Sequence, residues 1–169
     1  MKLPRKTPTL VSAAELTKIV GIDLETVNNW LRHGIINRAR IGGRQLRSRV
    51  FSADEVYKTA LKNELVKLGI PPSPANEAVN ALWKEWDKKD APEGWNVYAV
   101  ILPSKDTWSV ALCSQKLSGG PLYKFAKSKS TEEMELPKQA FAVIPISDIF
   151  DRITKKLSEL LGEMKNQRG

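Results

Sequence analysis

Apolar positions in the first half of the chain recur with the period of a helix. Leu16, Ile19 and Val20 follow Ser12 and Glu15, whose spacing of three makes a capping box, with Val11 placed to staple onto Leu16 and Gly21 to end the segment. Asp23 then caps a second helix whose inward set is Leu24, Val27, Trp30 and Leu31, ending at Gly34. Two short helices joined by a glycine-containing turn predict a helix-turn-helix unit. Gly42-Gly43 between two extended runs, Arg38–Ile41 and Arg44–Phe51, predicts a hairpin tip. Ser52 and Glu55 repeat the capping box ahead of Val56, Ala60, Leu61, Leu65 and Leu68, and Gly69 closes that helix. After Pro71-Pro72, Ser73-Pro74 opens another helix with proline at the tolerated first position, and its stripe is Ala75, Ala78, Val79, Leu82, Trp83 and Trp86.

The polar run Asp87–Gly94, which contains Pro92, marks a domain boundary, and beyond it the pattern turns from helical to extended. Trp95–Leu102 and Thr107–Cys113, rich in Val, Trp and Tyr, predict strands around a Pro-Ser-Lys-Asp turn. Leu122–Ala126 and Gln139–Ile146 predict two more strands, and the charged stretch Lys127–Lys138 a loop. Ser147–Met164 closes the chain as an amphipathic helix carrying Ile149, Phe150, Ile153, Leu157, Leu160, Leu161 and Met164. The aromatics Trp95, Tyr98, Trp108, Tyr123, Phe125 and Phe141 suit either a core or a ligand pocket. The fold class is α+β, in four stretches: a basic N-terminus at 1–9, a mostly helical domain at 10–87, a linker at 88–94, and a small α+β domain at 95–169.

Composition changes this picture mainly through charge. The 169 residues carry a formal charge of +8 and a pI near 9.6. Residues 1–50 hold ten Lys and Arg against three acids, whereas the other 119 hold seventeen against sixteen. Five of the cations, Arg38, Arg40, Arg44, Arg47 and Arg49, crowd the hairpin. The planar fork of arginine suits phosphate and guanine edges, so a polyanion is the expected partner. Other classes recede. No apolar run reaches the roughly 18 residues of a membrane span, and the basic start leads into no signal segment. One cysteine, Cys113, leaves no internal disulfide and no cysteine-rich zinc site, and one histidine, His33, has no ligand set to join. With no carboxylate pair, nucleophile elbow, phosphate-binding loop or metal spacing, no enzymatic activity and no cofactor are expected.

With Leu24, Val27, Trp30 and Leu31 inward, the second helix, residues 23–33, presents Glu25, Thr26, Asn28, Asn29, Arg32 and His33 outward. In a helix-turn-helix this element enters the major groove. Asparagine can pair with the N6 and N7 edge of adenine and threonine can touch a thymine methyl, which makes Asn28 and Asn29 the natural base readers and Thr26 an accessory one. Arg32 is placed for phosphate, and His33 for a helix cap or a phosphate contact. Arg38, Arg40, Arg44, Arg47 and Arg49 would track the backbone or enter a minor groove.

Residues 10–86 resemble the winged-helix DNA-binding domain of MerR-type transcription regulators. The match lies in Ser12-Ala13-Ala14-Glu15-Leu16, Gly21-Ile22-Asp23, Thr26-Val27-Asn28-Asn29-Trp30, His33-Gly34-Ile35-Ile36, Arg49-Val50-Phe51 with Asp54-Glu55-Val56, and Leu68-Gly69-Ile70. The chain departs from the family where Asn28-Asn29-Trp30 replaces Arg-Tyr/Phe-Tyr, where strands replace the long dimerisation helix, and where effector cysteines are missing. The resemblance implies a winged helix-turn-helix, with residues 38–49 as the wing, and DNA binding; it does not extend to metal sensing or promoter twisting.

The expectation is a sequence-specific regulator that binds double-stranded DNA as a homodimer, in a bacterial or phage-type cytoplasm on the nucleoid. A DNA-architectural or recombination accessory protein of the excisionase type is the alternative. Dimerisation is expected through Ile149, Ile153, Leu157, Leu160 and Met164 on the last helix. No membrane is expected as a partner, and nothing in the sequence specifies a small-molecule effector.

Overall fold

The computed structural model describes residues 10–41, 44–45, 49–86, 95–103, 108–116, 123–124, 132–133 and 142–166. It is an α+β protein. The chain divides into two compact units: Arg5–Asn63 groups with Asp148–Gly169, and Glu64–Ser147 forms the body of the other.

In the first unit, β1 (Leu10–Ser12) leads into α1 (Ala13–Val20). The Ser12 hydroxyl accepts from the Glu15 amide at 3.3 Å, and the Glu15 carboxylate accepts from the Ser12 amide at 2.6 Å, so two orphan donors are satisfied reciprocally. Gly21 ends α1 at φ 79°, where a side chain would be strained. The helix α2 (Leu24–Arg32) follows Asp23, whose carboxylate accepts from the Thr26 amide at 2.6 Å. Next come β2 (Arg40–Ile41) and β3 (Arg44–Gln45), an antiparallel pair in the register Arg40↔Gln45 and Ile41↔Arg44, as the two-glycine spacing predicts. The strand β4 (Val50–Ser52) pairs antiparallel with β1, a pairing that three residues beside a helix cap did not signal. The helix α3 (Ala53–Lys67) starts at Ser52, whose hydroxyl accepts from the Glu55 amide at 3.3 Å.

Two inward expectations change. Val27 and Trp30 are buried in α2, but Leu24 is 50% exposed, because the first residue of the helix lies beyond the body its apolar face packs on. Leu68 is 54% exposed for a similar reason: α3 has already ended, and Leu68 and Gly69 turn the chain toward Ile70, which is buried.

In the second unit, α4 (Pro72–Trp86) begins two residues before Pro74, the expected first position, and buries Ala75, Ala78, Val79, Leu82 and Trp83. It lies against β6 (Trp108–Lys116), the centre of a five-stranded antiparallel sheet. Its other strands are β5 (Trp95–Pro103), β7 (Tyr123–Lys124), β8 (Glu132–Glu133) and β9 (Ala142–Pro145), in the order β8-β7-β6-β5-β9. Thus a short strand sits inside the stretch 127–138 that reads as a loop. Glutamates have low strand propensity, and the pairing with Tyr123–Lys124 decides the matter. Tyr98 is half-buried; Phe125 and Phe141 lie outside the described residues, as do the expected linker 88–94 and the N-terminal stretch 1–9.

The closing helix α5 (Ile146–Asn166) changes the domain plan. Its N-terminal Ser147 hydroxyl accepts from the Val97 amide at 2.9 Å, but from Asp148 onward it belongs with the first unit. Phe150 packs against Tyr57 of α3 in a tilted arrangement, with ring centroids 4.9 Å apart and an interplanar angle of 56°, and the Tyr57 and Thr154 hydroxyls share a 2.8 Å hydrogen bond. Lys156 Nζ donates to the carbonyls of Ile19 (2.9 Å) and Lys18 (3.3 Å), the unsatisfied acceptors at the C-terminus of α1. Ile149, Ile153 and Leu157, expected to face a second copy, are buried within the chain, and Leu160 is half-buried; the Met164 side chain lies outside the described ones. The units therefore do not divide at 88–94. The division runs through α3: α4 goes with the sheet it covers, and α5 returns to the helices its apolar stripe fits.

Candidate nucleic-acid interface

The site is built around α2. Its buried Val27 and Trp30 fix one face, and the chain leaving it is held as well: the amides of Ile35 and Ile36 donate to the Trp30 carbonyl, at 2.8 and 3.4 Å. Ile35 is anchored a second time. Its carbonyl accepts from the Nζ of Lys62 on α3 at 2.5 Å, and Lys62 also pairs with Glu55 Oε1 at 3.1 Å. The Lys62 side chain is 1% exposed. Burial holds this ammonium below the ordinary lysine pKa, and the Glu55 carboxylate opposes that shift. A lysine mid-helix reads as a solvated charge from sequence. The one available signal was Glu55 at i−7, two turns away on the same face, and it is not specific.

The expected DNA-binding residues separate into groups. Thr26 is half-buried and its hydroxyl donates to Asp23 Oδ2 at 3.1 Å, so it completes the helix cap. The same hydrogen bonds, from the Thr26 amide and hydroxyl, hold the Asp23 carboxyl below its usual range. Asn28 is half-buried, and its Oδ1 accepts from Arg49 Nη1 at 2.7 Å. A guanidinium can only donate, so the amide is oriented with its oxygen on Arg49 and its Nδ2 donors free to turn elsewhere. Asn29, Arg32 and His33 are exposed; His33 is the C-cap residue of α2, and its amide donates to the Asn29 carbonyl at 3.0 Å. Arg40 and Arg44 stand in the β2–β3 hairpin by backbone position, their side chains outside the described ones, and Arg47 lies outside the described residues.

The two flanks of α2 differ. On one, Asn28, Leu31, Arg32, Gly34, Ile36, Asn37, Arg38 and Arg49 line a groove of about 530 Å³. Among the described residues, three arginines and two asparagine amides border it and no carboxylate does. On the other, Leu24, Glu25, Asn28, Asn29 and Arg32 line a smaller hollow of about 430 Å³. Asn28 and Arg32 form the ridge between them. The first groove can take an anion along its length, and the second offers an apolar contact, an acceptor and amide groups. Leu24 and Asn37 complete these surfaces and were not among the expected site residues. Leu24 reads as core by period alone, and only its place at the helix start sets it outside.

Among the described residues no group of three or more His, Cys, Asp or Glu side chains is arranged to hold a metal ion, and no helix is long and apolar enough to cross a membrane. The chain matches no protein-family model, and a comparison with curated proteins likewise gives no match.

Proposed function

We propose that this protein binds double-stranded DNA through a winged helix-turn-helix like that of MerR-type regulators, and that it acts as a sequence-specific transcription regulator. In this reading α2 enters the major groove and residues 38–49 follow the backbone. The observation that carries it is the groove beside α2, which Arg32, Arg38 and Arg49 line together with Asn28, and whose described lining holds no carboxylate. Phosphate contacts of this kind position a protein on the duplex, and the exposed helix face then reads base edges.

Selection from a pool of random duplexes, followed by fluorescence anisotropy on the enriched sequence, tests the reading. Enrichment of one motif is the expected outcome. Removing Arg44 and Arg47 together weakens binding to all sequences and flattens the slope of log K against log salt by about one to two units. Failure to enrich any duplex overturns the reading.

A second reading, the accessory protein of the excisionase type, draws support from α5. Ile149, Ile153 and Leu157 are taken up inside the chain, so the helix expected to join two copies is occupied. A protein that engages DNA singly, or in tandem along it, has no need of that seam. Footprints distinguish the two: symmetric half-sites belong to a paired regulator, and same-direction repeats to the accessory protein.

A further inference from the structure

We infer that Leu24 is a specificity-determining residue that packs on the C5-methyl group of a thymine, so that the Leu24–Glu25–Asn29 flank of α2 faces base edges and the Arg32–Arg38–Arg49 flank faces phosphate. The inference rests on the DNA-binding reading and adds to it an orientation of α2 in the groove and a chemical identity for one base.

Leu24 is half exposed at the first position of α2, whereas the other apolar residues of that helix, Val27 and Trp30, are buried and Leu31 is half-buried. Among the described residues, Leu24 is the apolar side chain of α2 that packing leaves most open, and it stands at the leading end of the helix. Helix starts are the parts of recognition helices that reach furthest toward base edges. Leu24, Asn28 and Arg32 stand at i, i+4 and i+8, so they form one strip along the helix.

The chemistry of the hollow selects its occupant. Glu25 lines it beside Leu24, with Arg32 reaching it only from the ridge it shares with the first groove, and a carboxylate on this flank disfavours phosphate relative to the other, whose described lining has three arginines and no acid. The base edges of the major groove offer what fits: amino donors for a carboxylate, and a methyl group, carried only by thymine, for an apolar side chain. Asn29 is exposed and lines the same hollow, with both its donor and acceptor available for the adenine of an adjacent pair. On the opposite flank, the Arg49–Asn28 bond holds a guanidinium against the helix, and the described residues lining the groove there include three arginines and no acid. The two flanks therefore suit different parts of the duplex.

The test uses the full chain and the duplex enriched from the random pool, with each thymine replaced in turn by deoxyuridine, which removes the C5-methyl and leaves every hydrogen-bonding group. One substitution is expected to weaken binding about three- to fivefold, the worth of one methyl group withdrawn from water. Leu24→Ala is expected to weaken binding to the thymine duplex by at least that factor and to bind the thymine and deoxyuridine versions equally. If no thymine shows a methyl effect, or if Leu24→Ala keeps the effect seen with the parent, the assignment of Leu24 is overturned while DNA binding stands. If no duplex is enriched at all, the DNA-binding reading falls and this inference with it. Because the deoxyuridine scan is done on the unaltered protein, the result does not depend on how the variant folds.

Discussion

α2 and α3 carry the same kinds of polar side chain and put them to opposite uses. On α2, Glu25, Asn29 and Arg32 are exposed and line open grooves. On α3, Glu55, Thr59, Lys62 and Asn63 are buried among Val56, Tyr57, Ala60 and Leu61. The difference lies in how many elements surround each helix. α2 buries one face and leaves the other to solvent. α3 receives the loop after α2 at Lys62 and α5 at Tyr57, and so has little face left over. A charge on α2 is free to meet a partner, whereas one on α3 must find its partner inside. Exposed and buried polar groups thus separate by helix within one small unit, and substitutions on the two helices should break different properties.

The largest expected effect is on α3. Lys62→Met leaves the Glu55 carboxylate buried without its cation and the Ile35 carbonyl without its donor, and should cost about 3–5 kcal/mol of stability in urea unfolding. Arg32→Met on α2 should change stability by no more than about 0.5 kcal/mol. Adding Glu55→Gln to Lys62→Met should recover part of the loss, since it removes the unpaired charge. The pH dependence sharpens the same contrast. Burial lowers the Lys62 pKa in the folded state from 10.5, so the folded protein releases this proton before the unfolded chain does. The Lys62 contribution to stability therefore rises with pH across the window that ends near 10.5. Tyr57, raised above 10.0 by burial, acts with the opposite sign above that value, where the folded state holds its proton longer. Loss of the alkaline rise in Lys62→Met, with the Tyr57 fall retained, would confirm the assignment.

Next comes the return of α5. Ile153 is fully buried, and Ile153→Ala should cost about 2–5 kcal/mol in the same unfolding measurement. Sedimentation should give the same mass for parent and variant, because this side chain packs within the chain. A change of oligomeric state with little change in stability would return Ile153 to a dimer seam.

A smaller effect belongs to the start of α2. Asp23→Ala removes the acceptor for the Thr26 amide and hydroxyl and should lower the melting temperature, whereas Asp23→Asn, which keeps a cap, should lower it less. The Asp23 carboxyl is held below 3.8, so its contribution is present above that pH and is lost as pH falls through the folded value. Melting curves below pH 3.8 should show this loss in the parent and not in the Asn variant. The least effect on stability is expected at Asn29→Ala, within about 0.5 kcal/mol. Its effect should appear in binding instead, as a loss of about 1–3 kcal/mol on the enriched duplex while random duplexes bind as before.

Local signals in the chain specified local structure. The Ser12–Glu15 capping box, the Asp23 cap, the glycine at Gly21 and the Gly42-Gly43 spacing act over three or four residues, and each marks an element present in the structure. The polar face of α2 was legible for the same reason, since a surface feature needs no distant partner to exist. What reached further was not legible. Leu24 has the period of a core residue, but at the helix start the described residues cover only half of it. Asn28 and Asn29 are alike in sequence, but only Asn28 meets Arg49, twenty-one residues away.

The sequence by itself determined the α+β composition, the caps and the placement of positive charge in the first 50 residues, because these follow from short-range sterics, hydrogen bonding and counting. The tertiary structure alone decided the buried Lys62–Glu55 pair, the reach of Lys156 to the end of α1 across more than 130 residues, and the turning of the α5 stripe inward. An amphipathic helix encodes that one face must leave water. It does not encode which surface will cover that face, and here the helix α3, with Tyr57 facing Phe150, supplied the cover before a second copy could.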